Sequence, residues 1–116
     1  MNNLGNPDLI QQQFDLSAKC DELIREMAIA GEAYARAEYD YNRQKTATAF
    51  TLREKEGLSA TMIMQVLKGV PTVAGKRLER DLAKSKYDAI KESINITKLQ
   101  LRLGDSQISR EWGRNE

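Results

Sequence analysis

Two stretches of this chain place small or apolar residues at alternating spacings of four and three. In the first, Leu16, Cys20, Leu23, Met27, Ala30, Tyr34, Ala37 and Tyr41 follow one another in that rhythm. In the second, Ala83, Tyr87, Ile90, Ile94, Thr97, Leu101, Gly104 and Ile108 repeat it. A mean period of 3.5 residues keeps one helical face against a partner only if the helices supercoil left-handedly around each other. Strands alternate with a period of two, so the pattern excludes a sheet and predicts an all-α coiled-coil protein.

The ends of these seams predict the topology. Pro7 and Asp8 suit a first helical turn, where a missing N–H costs nothing and a carboxylate meets the helix dipole, with Asn6 as N-cap. Ile10 and Phe14 lie near the first seam, Thr48 and Leu52 continue it, and Gln44 is a polar interruption. No proline intervenes before Gly57, so one helix is predicted over 7–56. Ser59 caps a short helix over 59–68, with Leu58 stapled against Ile63. Gly69 is read as its terminating glycine, Pro71 follows, and Thr72 caps a last helix over 72–112. Glycine costs about 1 kcal/mol in a helix, so Gly104-Asp105-Ser106 is its weak point, with Asp105 able to cap a restart. Trp112 closes the second seam one position late and is expected to clamp against Phe14. The two seams match in length, and a short connection folds them back antiparallel. The expectation is a single domain over 1–116, a long two-helix coiled-coil hairpin with a short helix in the connection.

The residue inventory narrows the chemistry. Histidine is absent, which removes the usual general base and the commonest metal ligand. One cysteine, Cys20, makes neither a disulfide nor a zinc site, and its seam position makes it a core residue. Tyr34, Tyr41 and Tyr87 occupy seam positions too. The glycines near Lys76 lack the spacing of a phosphate-cradling loop. No cofactor, metal or catalytic residue is expected, so a binding protein is predicted rather than an enzyme. Apolar runs are too short to cross a bilayer and the start does not resemble a signal peptide, so a cytoplasmic protein without membrane contact is expected.

Charge is more informative in its distribution than in its total of +1. Residues 43–86 hold ten basic and four acidic side chains, a net of +6, whereas residues 1–42 hold three and eight, a net of −5. In the last helix Arg77, Arg80, Lys84, Lys91, Lys98 and Arg102 fall in one sector about 60° wide at 100° per residue, a ridge of roughly 38 Å. Such a ridge either tracks a phosphate backbone or serves as a solvated or partner-facing surface. No aromatic residue interleaves it, so base stacking has no support there. A second apolar stripe on that helix, Leu78, Leu82, Ala89, Ile96 and Leu103, lies about 110° from the seam. A hairpin cannot cover both, so the stripe predicts a homo-oligomer, a four-helix or larger bundle.

An ordered set of residues also carries a family resemblance. It begins with Tyr34, Ala37, Glu38, Tyr41, Lys45 and Leu52-Arg53-Glu54-Lys55-Glu56-Gly57. Ala60-Thr61-Met62, Leu67-Lys68-Gly69, Val73-Ala74, Arg77 and Arg80-Asp81-Leu82-Ala83 follow. Tyr87, Glu92, Ile94, Leu99-Gln100-Leu101-Arg102, Gln107-Ile108 and Arg110-Glu111-Trp112 complete it. Over this two thirds of its length the chain resembles small helical-hairpin proteins of phages and prophages of Gram-positive bacteria. Gly104-Asp105 departs from the uninterrupted helix the resemblance implies. Members of that family are often encoded near recombination and single-strand annealing genes, and no activity is assigned that would transfer to particular residues. The resemblance implies an accessory factor in phage DNA recombination or replication, in the cytoplasm of the bacterial host, and the basic tip over 43–86 and the ridge are the surfaces expected to touch its partner, DNA or a recombination protein. The alternative is a counter-defence or host-takeover protein that binds and inhibits a host protein.

Overall fold

The computed structural model describes residues 7–115. Helix α1 runs over Pro7–Glu54, α2 over Ala60–Val66 and α3 over Pro71–Asn115, with one 3-10 turn, Leu67–Gly69, between α2 and α3. The protein is all-α, and α1 and α3 form the antiparallel coiled-coil pair with α2 in their connection. Asn6, the expected first cap, lies outside the described residues. Two compact units divide the chain, a central one over Ile29–Tyr87 and a terminal one made of Met1–Ala28 with Asp88–Glu116.

In the central unit the helices run antiparallel. Tyr34 stacks near Tyr87 with ring centroids 6.2 Å apart, Arg80 lies over Tyr41, and Gln44 reaches Thr72. Ala30 and Tyr41 from α1 and Val73 from α3 are buried along this seam. Gln44 is a satisfied polar layer, its amide donating to the hydroxyls of Thr48 at 3.0 Å and Thr72 at 3.4 Å.

Helix α1 stops because Gly57 takes φ +67°, a conformation other residues rarely adopt. Its N–H donates to the Arg53 carbonyl at 3.2 Å and that of Leu58 to Leu52 at 3.2 Å, satisfying carbonyls the helix end leaves orphaned. Ser59 caps α2, its hydroxyl accepting from the Met62 N–H at 3.2 Å. Two expected caps are corrected. Gly69 has no positive φ and lies inside the 3-10 turn. Thr72 lies in the first turn of α3, which begins at Pro71, and the Val70 carbonyl accepts the first helical bond from Ala74 at 2.8 Å. Proline at that position has no N–H to lose and is pre-set in φ, so it displaces the cap by two residues.

In the terminal unit Cys20 and Ile94 are buried, and Leu16, Leu23, Met27, Ile90, Leu101 and Ile108 are half-buried along the predicted seam. Thr97 is 1% exposed, and its hydroxyl donates to the Ser93 carbonyl one turn back at 2.8 Å. Helix α3 passes through Gly104 unbroken, as the helix predicted over 72–112 requires. A side chain at that position would run into the Gln13 amide, which donates to the Leu101 carbonyl at 2.8 Å and to Asp105 at 2.7 Å. Gly104 is the opening for a polar cross-link between the helices, and Asp105 is its acceptor. The expected clamp is also corrected: Phe14 is 68% and Trp112 50% exposed. The seam continues in phase to Glu111, which is half-buried, and this turns Trp112 outward.

These observations separate packing from polarity in the terminal seam. Ile94→Ala removes three buried carbons and should cost about 2–5 kcal/mol in denaturant unfolding. Thr97→Val keeps the shape and removes a hydroxyl whose acceptor already belongs to the helical ladder, so it should change stability by less than about 1 kcal/mol. A Thr97→Val loss as large as that of Ile94→Ala would show that the hydroxyl, not the packing, holds this layer.

Candidate nucleic-acid interface

The central unit carries eleven basic and seven acidic residues, a net of +4, and the terminal unit seven and ten, a net of −3. The cations of the central unit divide by what they touch. Arg80 is at a seam position, in step with Val73 and Tyr87, and its side chain is 25% exposed. Its guanidinium carbon lies 4.4 Å from the Tyr41 ring centroid, and its Nε and Nη2 both donate to Asp81 Oδ1. Lys45, one turn along α1 from Tyr41, holds its Nζ 5.1 Å from the same ring. The hydrogen bonds to Asp81 raise the Arg80 pKa above its ordinary value, with partial burial opposing them and the carboxylate charges of Asp81 and Glu38 adding to them. Arg77 is half-buried, and its Nη1 donates to the Lys68 carbonyl at 3.4 Å, tying the connection to α3.

The six predicted ridge residues divide between the two units. Arg77 and Arg80 are engaged within the central unit, and Lys84 is exposed there. Lys91, Lys98 and Arg102 belong to the terminal unit and are exposed. Arg77, Lys84, Lys91 and Lys98 recur every seven residues beside the seam of α3, as coiled-coil flanking positions do. The predicted apolar stripe is exposed: Leu78 59%, Leu82 62%, Ile96 51% and Leu103 60%, with Ala89 exposed as well.

A surface that the sequence reading missed lies on the outer face of α1 in the central unit. Arg36, Tyr39, Arg43, Thr46, Phe50 and Arg53 follow one another at spacings of 3, 4, 3, 4 and 3, and all are exposed. Tyr39 and Phe50 show more than half of their surface to solvent. Arg43 sits between them, its guanidinium carbon 5.8 Å from the Tyr39 ring centroid and its Nη1 3.3 Å from the Tyr39 hydroxyl. Arg36 pairs with Glu32 at 3.1 Å, an exposed helical pair of small energetic weight. A shallow apolar hollow between Tyr39 and Phe50 is floored by Ala47 and edged by Asn42 and Thr46. A second hollow beside it brings Arg43 of α1 toward Lys76 of α3, with Asp40 and Gln44 on its rim. The signal was present as a second 3–4 rhythm carrying Arg and aromatic residues instead of aliphatic ones.

Aromatic faces alternating with guanidinium groups suit a flexible, anionic, base-bearing strand: the rings offer stacking platforms and the arginines follow the phosphates. Among the described residues no group of three or more His, Cys, Asp or Glu is placed to hold a metal, and no helix is long and apolar enough to cross a membrane. Compared with known proteins, the chain matches no protein-family model, no curated protein and no solved structure.

The placement of Arg80 separates packing from ligand contact. Arg80→Ala should lower the melting temperature, because the stem and the stacked guanidinium leave the seam. Arg80→Lys should recover only part of the loss, since an ammonium neither forks nor stacks flat. Neither change should alter the salt dependence of oligonucleotide binding. A slope lowered by one phosphate equivalent in Arg80→Ala would instead make Arg80 a contact residue.

Proposed function

We propose that the chain is a non-enzymatic, homo-oligomeric binding protein that holds single-stranded nucleic acid as an accessory factor in phage DNA recombination or replication. The observation that carries this reading is the exposed arginine–aromatic face of α1, with Arg36, Tyr39, Arg43, Phe50 and Arg53 in one row of the basic unit. Stacking on Tyr39 and Phe50 favours unpaired bases, because a duplex buries its base faces. The resemblance to hairpin proteins encoded beside single-strand annealing genes supports the recombination context.

The alternative, a counter-defence or host-takeover protein, draws support from the connection. Met62, Met64 and Val66 of α2 are exposed, and methionine side chains adapt readily to a protein groove. A host-lysate pull-down repeated after nuclease treatment separates the two readings: a bait-specific protein retained without nucleic acid favours the second.

Fluorescence anisotropy with an unstructured oligonucleotide and its duplex tests the first reading. Binding should favour the single strand and weaken with salt by about 0.7 in log K per log salt for each phosphate neutralised. Replacing Arg43 and Arg53 together by Gln should lower that slope by about one to one and a half. Tyr39→Ala and Phe50→Ala should weaken binding by about tenfold each at constant slope, as losing a stacked base does. Absence of oligonucleotide binding at low salt would overturn the nucleic-acid reading and leave the protein-partner reading in its place.

A further inference from the structure

The inner seam of α3 carries two cations where packing alone would place aliphatic side chains. Val73, Lys76, Arg80, Ala83 and Tyr87 follow one another at spacings of 3, 4, 3 and 4, the rhythm of the face turned to α1. Arg80 has a packing role there, stacked on Tyr41 and bonded to Asp81. Lys76 has no such role. Among the described residues its Nζ donates to Glu79 alone, at 3.3 Å on its own helix, and the two side chains stay 39% and 61% exposed. An ion pair so exposed is of small energetic weight, and a leucine at this position would bury more apolar surface. We infer that Lys76 is a phosphate-binding residue. The backbone of a single strand stacked on Tyr39 then runs along the α3 side of the ring, from Arg43 to Lys76.

The two hollows that meet at Tyr39 differ in chemistry as the two edges of a strand do. Tyr39, Arg43 and Ala47 line both of them. The one that extends to Phe50 is completed by Asn42, Thr46 and Thr51, with no charge beyond Arg43. The other is completed by Asp40, Gln44 and Lys76, and it is the charged one. Bases stack on rings, whereas phosphates follow a positively charged groove. The hollow between Tyr39 and Phe50 therefore suits the bases, and the one between Arg43 and Lys76 suits the phosphates. Asp40 is the one anion on its rim, so two cations against one carboxylate leave that hollow net positive. All of these residues belong to the central unit, where α1 and α3 run side by side. The role of Lys76 rests on the nucleic-acid reading of the α1 face, and adds to it a second helix and a side for the backbone.

Anisotropy of a labelled oligothymidylate, read across a salt series with the full chain, tests the role of Lys76. Lys76→Gln should lower the slope of log K against log salt by about 0.7, one phosphate on a single strand. Combined with Arg43→Gln it should lower the slope by about 1.4, since the two cations hold different phosphates. Lys76→Arg should keep the wild-type slope. Lys86→Gln, an exposed lysine of the same unit that does not line the hollow, should keep it too. Lys76→Leu should lose the same slope as Lys76→Gln while melting no lower than wild type, because an aliphatic residue suits the seam better than the lysine. An unchanged slope in Lys76→Gln, with the loss in Tyr39→Ala intact, overturns the role of Lys76 and leaves the α1 face as the site. An equal drop in Lys86→Gln reduces the effect to net charge and overturns it as well. A Lys76→Leu variant that melts lower and keeps its slope makes the lysine a packing residue. A wild-type protein that binds no oligothymidylate at low salt overturns the role of Lys76 together with the nucleic-acid reading.

Discussion

A heptad seam decides which faces of two helices meet, and by itself it tolerates slips of seven residues along the pair. In a seam where few side chains are fully buried, apolar burial alone discriminates weakly among such registers. Polar contacts with one allowed partner resolve the degeneracy. In the central unit Gln44 finds the Thr72 hydroxyl, and Arg80 finds the Tyr41 ring. In the terminal unit the Gln13 amide enters at Gly104 and finds both the Leu101 carbonyl and Asp105. A slip of one heptad in either unit strands these groups without their partners, so their value lies in specificity more than in net stability.

The hairpin was legible because its information is one-dimensional. Spacing alone placed Cys20, Ala30, Tyr41, Ile94 and Thr97 inside, and each is buried. What stayed hidden depended on the second helix or on supercoiling. Glycine propensity marks residue 104 as a weak point of the helix, and only the Gln13 amide arriving from α1 shows what occupies the space beside it. Projecting α3 at 100° per residue groups Arg80 with the outer lysines, but over a supercoiled helix the effective repeat is 3.5. The drift of about 20° per heptad moves Arg80 into the seam beside Tyr41. The same drift places Glu111 in the seam and carries Trp112 out of it.

The candidate nucleic-acid face was harder to read for a different reason. A hydrophobic pattern announces itself through periodicity, but Arg36, Tyr39, Arg43 and Phe50 alternate cation with ring and look like ordinary helix surface. Seen by heptad position, α1 and α3 each carry an inner seam and an outer row at the same rhythm. The outer row of α1 in the central unit is guanidinium and aromatic, and that of α3 is aliphatic. Two helices of similar length thus differ chiefly in the chemistry of their outer faces, which is where a chain with so little interior has room for function.

The meeting of Gln13 with Gly104 has a consequence for how this sequence can vary. A residue with a side chain at 104 evicts the amide, and Asp105 then loses the donor it holds at 2.7 Å. Without Gln13, in turn, the glycine has no tenant and only weakens its helix. The two positions are coupled through this contact, although they lie near opposite ends of the chain. A change at one position therefore alters what the other contributes, and the two act as one contact across the pair of helices.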